Sequence, residues 1–280
     1  MPISKEKDLK IQRPIASFPV RRMDYQFEQS PKYWCNHDPV YTHFFTALST
    51  LFPEGEAYFV RSVRHFRSQI DNPDLDKDIG AFIGQESMHS KEHHAFHLSA
   101  QQHGLDPESL EKITGITLKT IEKLFPKKWN LLLTVGVEHY TAVLVNYMMS
   151  DVNKLMNDDT IRNLWLWHSI EETEHKAVAF DLYQELYGKQ LDAYIPRVAL
   201  FTFSLVLVTT LTHISQIALI VKDKQLFNFS SWKSFIKFGF KSYSIFIPRF
   251  LEFYRFDFHP NDHDESALVA LTKAKISLLH

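Results

Sequence analysis

Two Glu-x-x-His pairs are the residues of this sequence whose types and spacing are best suited to chemistry. Glu86 and His89 form the first pair, and Glu172 and His175 repeat the spacing in the second. Both pairs lie in proline-free segments with apolar residues at helical intervals, so the two members of each pair share one helix face. A carboxylate and an imidazole that point at the same place are suitable ligands for a metal ion.

Two further acids stand alone in other helical segments. Glu56 lies in a helix that restarts at Pro53, and Glu138 lies within the very apolar stretch 128–156. Because a carboxylate without a partner is costly to bury, we expect the carboxylate of Glu138 to bind a buried partner. One lone Glu together with one Glu-x-x-His pair can serve each of two ions. This is the ligand arrangement of ferritin-like di-metal carboxylate bundles.

The chemistry of these ligands indicates which metal they would bind. Four carboxylates offset the charge of two divalent ions, and mixed oxygen and imidazole ligands favour iron, with manganese and zinc as alternatives. His168 shares its helix face with Glu172 and His175, at spacings of i, i+4 and i+7. It is either a seventh ligand, which would give the second metal more nitrogen, or a partner of a ligand. The predicted metal ligands, with no further catalytic residue, are Glu56, Glu86, His89, Glu138, His168, Glu172 and His175.

For other polar residues near these ligands, the sequence gives less indication of metal binding. We expect His93 and His97 to support the ligands or to be exposed, and His139 to make a hydrogen bond in the core. Glu171 and Glu174 are expected to face solvent or a neighbouring helix.

Composition favours an all-α protein. The 280 residues include only eight glycines, and long stretches lack both glycine and proline. The formal net charge of −2 gives no reason to propose nucleic acid as a partner. The single cysteine, Cys35, excludes an intramolecular disulfide and fits the reducing cytoplasm.

The chain divides into three predicted parts. Residues 1–38 form an extended N-terminal arm without the features of a secretory signal. Residues 39–190 form the di-metal helical bundle, and residues 191–280 form a hydrophobic, basic-aromatic helical extension. The predicted helical segments are 39–70 with a break at Pro53, 75–103, 118–124, 128–156, 159–187, 195–221, 232–258 and 264–279.

The extension leaves the relation to a membrane open. Residues 195–221 are long and apolar enough to cross a bilayer, but a buried helix packed on the bundle is equally compatible with them. The basic-aromatic segment 232–258 favours contact with a membrane surface. We therefore keep membrane contact through 195–258, at the inner face, as an open alternative to a purely cytoplasmic location. A homodimer is also left open.

Four motifs resemble a known bacterial family. They are RRMDY at 21–25, LFPEGE at 51–56, FIGQESMH at 82–89 and EETEHKAVAFD at 171–181. They are similar to the predicted metal-dependent hydrolases, over about residues 20 to 260. That resemblance implies a metal and hydrolysis. The ligand order of Glu, Glu-x-x-His, Glu and His-x-x-x-Glu-x-x-His also resembles di-iron N-oxygenases such as the p-aminobenzoate N-oxygenase.

From the ligand types we favour an O2-activating di-iron oxidoreductase or oxygenase that acts on a small or lipid-like organic substrate. The first alternative is a metal-dependent hydrolase with the same ligands. The second is a non-enzymatic metal-binding or membrane-associated protein. Both reactions use the same side chains, so the sequence does not choose between them.

Overall fold

The computed structural model describes residues 18–276, and in this range the protein is all-α. Within residues 18–276 the only extended pairing is an isolated bridge between Cys35 and Met156. The all-α prediction is therefore confirmed. The helices are α1 (Pro39–Ser49), α2 (Phe52–Phe66), α3 (Pro73–Gln101), α4 (Pro107–Leu124), α5 (Lys127–Ser150), α6 (Asp159–His175), α7 (Val178–Tyr187), α8 (Leu191–Lys222), α9 (Phe229–Glu252) and α10 (Ser266–Ile276).

The helix boundaries follow from local signals in the sequence. Asp38, Asn72 and Asp158 cap α1, α3 and α6, since each side chain accepts a hydrogen bond from a backbone amide of the first turn. Pro53 lies in the first turn of α2, where its missing amide hydrogen has no consequence. Gly104, just after α3, has a φ of +76°, which a glycine adopts without strain. These boundaries agree with the sequence prediction to within a few residues.

Two elements differ from the prediction. Helix α4 is much longer than the short segment 118–124, because its Asp106 cap and Pro107 start a helix eleven residues earlier. The predicted helix 159–187 is two helices, α6 and α7, separated at Lys176 and Ala177. At this bend the buried ammonium group of Lys176 reaches Glu265 and the carbonyl oxygen of His263, which lie before α10.

Residues 18–38 contain no helix and run across the bundle. Arg21 forms ion pairs with α6, and the backbone amides of Asp24 and Tyr25 donate to Glu92 of α3. Val20 packs where Gly84 has no side chain. Residues 1–17 of the predicted arm lie outside the described range, and the division of the chain at residues 38 and 190 stays a prediction.

Helix α8 lies along α5 and α1. Its buried side carries polar residues, whereas its exposed side is apolar. Ser204, Thr212 and Gln216 are buried against the bundle, whereas Val206, Ile214 and Ile217 are exposed. By length and composition α8 is able to cross a membrane, but much of it is buried against its neighbours. The described fold therefore gives α8 an inner side that packs on the bundle and an apolar side that has no protein partner.

The close contact of α5 with α8 yields a test of the fold. A Cβ atom at Gly136 would lie 3.1 Å from the Cα atom of Phe201 and would overlap Ser204, whereas a Cβ at Gly239 in α9 meets nothing within 4 Å. We expect Gly136→Ala to lower the free energy of unfolding by roughly 1–2 kcal/mol, because the backbone of α8 must move. The matched variant Gly239→Ala should raise it by up to about 1 kcal/mol through helix propensity. Urea unfolding measures both; equal effects would contradict the packing of α5 on α8.

Candidate metal centre

Four helices bring all seven predicted ligands together in the middle of the bundle. Helix α2 contributes one Glu, α3 one Glu-x-x-His pair, α5 one Glu, and α6 the three remaining residues. None of these residues is more than 2 % exposed. The residues are Glu56, Glu86, His89, Glu138, His168, Glu172 and His175.

Glu172 lies at the centre of the group. Its Oε1 atom is 3.5 Å from Nδ1 of His89, 3.1 Å from Nε2 of His168 and 3.4 Å from Nε2 of His175. Glu86 also lies between two imidazoles, with Oε2 at 3.7 Å from His89 Nδ1 and Oε1 at 3.3 Å from His175 Nε2. The two Glu-x-x-His carboxylates therefore lie between the imidazoles.

The two remaining carboxylates each lie near a different imidazole. Glu138 Oε2 is 3.7 Å from Nε2 of His175, and Glu56 Oε1 is 3.9 Å from Nε2 of His168. Potential ligand atoms of Glu56, His89 and His168 all lie within 4.8 Å of one another, as do those of Glu86, Glu138 and His175.

The grouping of His168 with Glu56 and His89 differs from the sequence interpretation, which assigned it to the second metal with His175. The geometry of the helix explains the difference. His168 and His175 are two turns apart on α6, about 10.5 Å along the axis, and no group of converging ligand atoms among the described residues contains both. Instead the ring of His168 stacks on that of His89, with 4.2 Å between ring centroids.

Several buried polar atoms at the centre lack a hydrogen-bond partner. They include both carboxylate oxygens of Glu86 and of Glu138, one oxygen of Glu56, Nδ1 of His89 and Nε2 of His175. Leaving so many buried acceptors unsatisfied is costly, so convergent unpaired atoms of this kind need an explanation. Divalent cations would supply partners for all of them, and the donor set fits such ions.

Burial and mutual repulsion raise the pKa of two of the acids, whereas adjacent imidazoles lower the pKa of a third. Burial, together with nearby Glu86, raises the pKa of Glu56 well above its ordinary value. Burial and the neighbouring Glu172 and Glu86 do the same to the pKa of Glu138. Burial also opposes ionisation of Glu172, but the adjacent imidazoles outweigh it and hold its pKa well below the usual range. A site of mixed protonation would become uniformly ionised around divalent cations.

The outward-facing nitrogens of His89 and His175 are held by other side chains. Nε2 of His89 lies 3.0 Å from Oε2 of Glu171, and Nδ1 of His175 lies 2.8 Å from Oε1 of Gln85. Since a carboxylate or amide oxygen only accepts, each of these nitrogens carries a proton. Burial opposes a second proton on either ring, but the surrounding carboxylates outweigh it and raise the pKa of both imidazoles well above the usual value. A metal ion at the centre would displace the proton from the inner nitrogen of each ring. Arg21 donates to Glu171 at 2.9 Å and thereby ties residues 18–38 to the site.

Some of these supporting residues were missed from the sequence. Glu171 is fully buried and faces His89 of the neighbouring helix α3, the second of the two expected alternatives, but its role in holding that ring was not predicted. It lies at i+3 from His168 and i−4 from His175, on the same helix face, and that spacing could have identified it. His139 makes the expected core hydrogen bond, to the carbonyl oxygen of Arg249 at 3.2 Å.

A largely apolar pocket reaches the centre. It encloses about 670 Å³ of atom-free space, part of it open to solvent, between α2, α4, α5 and α8. Glu56, His168 and Glu172 form its polar inner end. The hydroxyl groups of Thr114 and Thr141 in its wall donate to carbonyl oxygens of their own helices. Its apolar lining includes Leu48, Leu51, Phe52, Phe59, Leu118, Leu133, Val137, Leu207, Val208 and Leu211.

Comparison with known proteins agrees with this chemistry. The sequence model of one family, described as predicted metal-dependent hydrolase, matches residues 19–264, close to the extent of the motif resemblance. No curated protein and no solved structure matches the chain. The match covers most of the 280 residues and includes all seven acid and imidazole side chains of the centre. The chain therefore belongs to the family of predicted metal-dependent hydrolases.

Proposed function

We propose that the protein is a hydrolase that binds two divalent metal ions and acts on an apolar organic substrate. The observation that carries the proposal is the convergence of four carboxylates and three imidazoles with unsatisfied buried atoms. Glu56, His89 and His168 would hold one ion, and Glu138 and His175 the other. Glu86 and Glu172, which lie between the imidazoles, would contact both. Bound there, the ions would supply polarisation of a carbonyl group and activation of water.

The pocket supports the choice of substrate. Its walls are aliphatic and aromatic, and the hydroxyls of Thr114 and Thr141 are already used within their helices. Such walls bind an apolar chain or ring and exclude bulk water. The acids and imidazole at the inner end place the reacting group of the substrate beside the centre. A small or lipid-like ester or amide matches both properties.

Oxidation with O2 is a second candidate, favoured by the donor set. Carboxylate and imidazole ligands without a thiolate suit iron, although manganese and zinc are also compatible. An apolar pocket is equally suited to a hydrocarbon substrate. The family description supports hydrolysis, so we rank hydrolysis first.

The first prediction concerns metal binding. We expect Glu138→Gln to hold fewer than the two metal ions that we propose for the wild-type chain. In chelator, the variant should unfold at the same or a higher temperature than the wild type, because it removes a carboxyl group whose ionisation burial opposes. With metal present it should unfold at a lower temperature, since metal binding stabilises the folded state. Metal analysis and thermal unfolding with and without chelator measure both effects.

The matched control is Glu185→Gln, which changes an exposed glutamate of α7. It should behave like the wild type in both conditions. Two tightly bound ions in Glu138→Gln would contradict the ligand assignment.

The second prediction separates the two reactions. We expect zinc- or manganese-loaded protein to hydrolyse acyl esters of medium chain length in the absence of O2. Leu118→Trp, which fills the pocket, should lower kcat/KM roughly tenfold, equivalent to about 1.4 kcal/mol. Leu124→Trp, on the same helix but 73 % exposed, is the control. Stoichiometric O2 uptake by the anaerobically prepared ferrous protein, with no ester hydrolysis, would instead establish the oxidative candidate.

We also propose that the apolar outer side of α8 and α9 binds an anionic membrane surface. Large side chains along it are exposed, for example Phe227 at 77 % and Phe240 at 76 %. From Phe229 to Leu251, α9 contains four cations and no acid. Exposed apolar residues bordered by lysines are the pattern of a helix that lies in a lipid interface. Because α8 also lines the pocket, this location would bring lipid-like substrates close to it.

Sedimentation with vesicles tests the membrane proposal. We expect the protein to bind vesicles containing phosphatidylglycerol, and the double variant Lys233→Gln/Lys237→Gln to bind roughly 30-fold more weakly, from about 1 kcal/mol per cation. The control Lys77→Gln/Lys154→Gln removes two exposed lysines elsewhere and should leave binding unchanged. If vesicles are not bound and the protein is dimeric in sedimentation equilibrium, a second copy of the chain covers this side instead.

A further inference from the structure

Two histidines of α3 and one glutamate of α4 converge outside the centre. Nδ1 of His94 lies 3.2 Å from both carboxylate oxygens of Glu111, and Nδ1 of His97 lies 3.0 Å from its Oε2 atom. One ligand atom from each of the three residues lies within 4.8 Å of the other two. His97 comes eight residues after His89, about 12 Å further along α3. The cluster therefore shares no residue with the seven predicted ligands.

The distances within this cluster suit a zinc ion. With zinc–ligand bonds of about 2.0–2.1 Å, neighbouring ligand atoms of a tetrahedral site are about 3.3 Å apart. The separations of 3.0 and 3.2 Å between the imidazole nitrogens and the carboxylate of Glu111 are close to that value. Two imidazoles and one carboxylate are a known set of protein ligands for zinc, with a fourth position left for water.

The inner imidazole of the cluster is held in place from behind. The side chain of His97 is only 1 % exposed, and its Nε2 atom lies 2.8 Å from Oγ of the buried Ser49. A hydroxyl group both donates and accepts, so it can accept from Nε2 when Nδ1 binds an ion. A partner on the second ring nitrogen is typical of imidazoles that bind metal.

The protonation states also suit an ion. Burial lowers the pKa of His97, so this imidazole is neutral at neutral pH. Burial opposes ionisation of Glu111, but hydrogen bonds from His97 and His94 outweigh it and lower the pKa of this carboxyl group. A neutral imidazole and an ionised carboxylate are the forms that bind metal.

The cluster is open to solvent on one side. The side chain of His94 is 47 % exposed and that of Glu111 is 14 % exposed, so an ion can enter from water. The neighbouring ammonium group of Lys112 pairs with Glu108 at 2.8 Å, which directs its positive charge to another carboxylate. Glu111 is thus left to face the two imidazoles.

We propose that His94, His97 and Glu111 form a further divalent-cation site, which takes zinc and holds α4 against α3. This site does not depend on the proposed function of the centre. With three protein ligands and access to solvent, it releases its ion more readily than the buried centre. It also concerns the pocket, since Thr114 and Leu118 lie three and seven residues after Glu111, on the same side of α4, and line the pocket wall.

Zinc uptake by the full chain tests the site. The protein is loaded with zinc, dialysed against metal-free buffer to keep only tightly held ions, and then equilibrated at a series of free zinc concentrations. We expect the wild type to take up one additional ion per chain in the last step. His94→Ala and Glu111→Gln should bind that ion at least about tenfold more weakly, because each removes a ligand. Both residues are partly exposed, so the variants keep the core packing.

The control is His65→Ala, which removes an exposed histidine of α2 and should take up the additional ion like the wild type. Uptake by His94→Ala or Glu111→Gln equal to that of the wild type would overturn the site, and so would a wild type that takes up no additional ion. If no ion remains after the first dialysis, the proposed function of the centre fails, while the last step still decides on this site.

Amide hydrogen exchange tests whether the ion holds α4. Zinc should slow the exchange of α4 amides that open when α4 separates from α3, about a hundredfold at roughly 100 times the dissociation constant. The same zinc concentration should leave α4 exchange unchanged in His94→Ala. Zinc uptake by the wild type without slower exchange in α4 would overturn this second part of the proposal.

Discussion

The cost of removing four carboxylates and three imidazoles from water determines the arrangement of the bundle interior. Each buried charge needs a counter-charge, and each buried donor or acceptor needs a partner. The protein meets the second need on the outer side of the ligands, where Glu171, Gln85 and Ser90 hold His89, His175 and Glu56. On the inner side the acceptors are left unpaired. Unpaired oxygens and nitrogens converge on that inner side, an arrangement that bound cations would satisfy.

Much of the arrangement of the centre could be predicted from the sequence, because helical spacing shows which residues share a helix face. Helical spacing does not show which helices contact one another, and this limits the prediction. Because of this spacing, the pairing of Glu86 with His89 and of Glu172 with His175 could be predicted. The lone acids Glu56 and Glu138 were found because they interrupt apolar segments. Contacts between helices leave no periodic pattern in the sequence. The sequence predicts that His93 either supports a ligand or is exposed. Its bond to His168, and the break of the fourth predicted helix after His175, depend on tertiary packing and could not be predicted.

Helix α8 shows a second limit of sequence patterns. Its buried side carries serine, threonine and glutamine, of which Ser204 and Gln216 donate to the backbone carbonyl oxygens of Leu200 and Val40. Its exposed side is aliphatic and aromatic. A helix that is apolar nearly all round has little amphipathic signal, so the sequence could not indicate which side meets the bundle. In water the exposed side would be a liability, whereas against lipid it is the favourable arrangement.

His168 is the residue at which the separate features of the protein meet. Its Nε2 atom faces the carboxylates of the centre, its Nδ1 atom lies 2.7 Å from Nε2 of His93, and its ring packs on Phe52 at the inner end of the pocket. A molecule in the pocket would therefore lie against an imidazole that is held from its other side. The hydrogen bond with His93 and the stacking on His89 fix the plane of the ring, so the protein itself orients the polar group at the inner end of an otherwise apolar pocket.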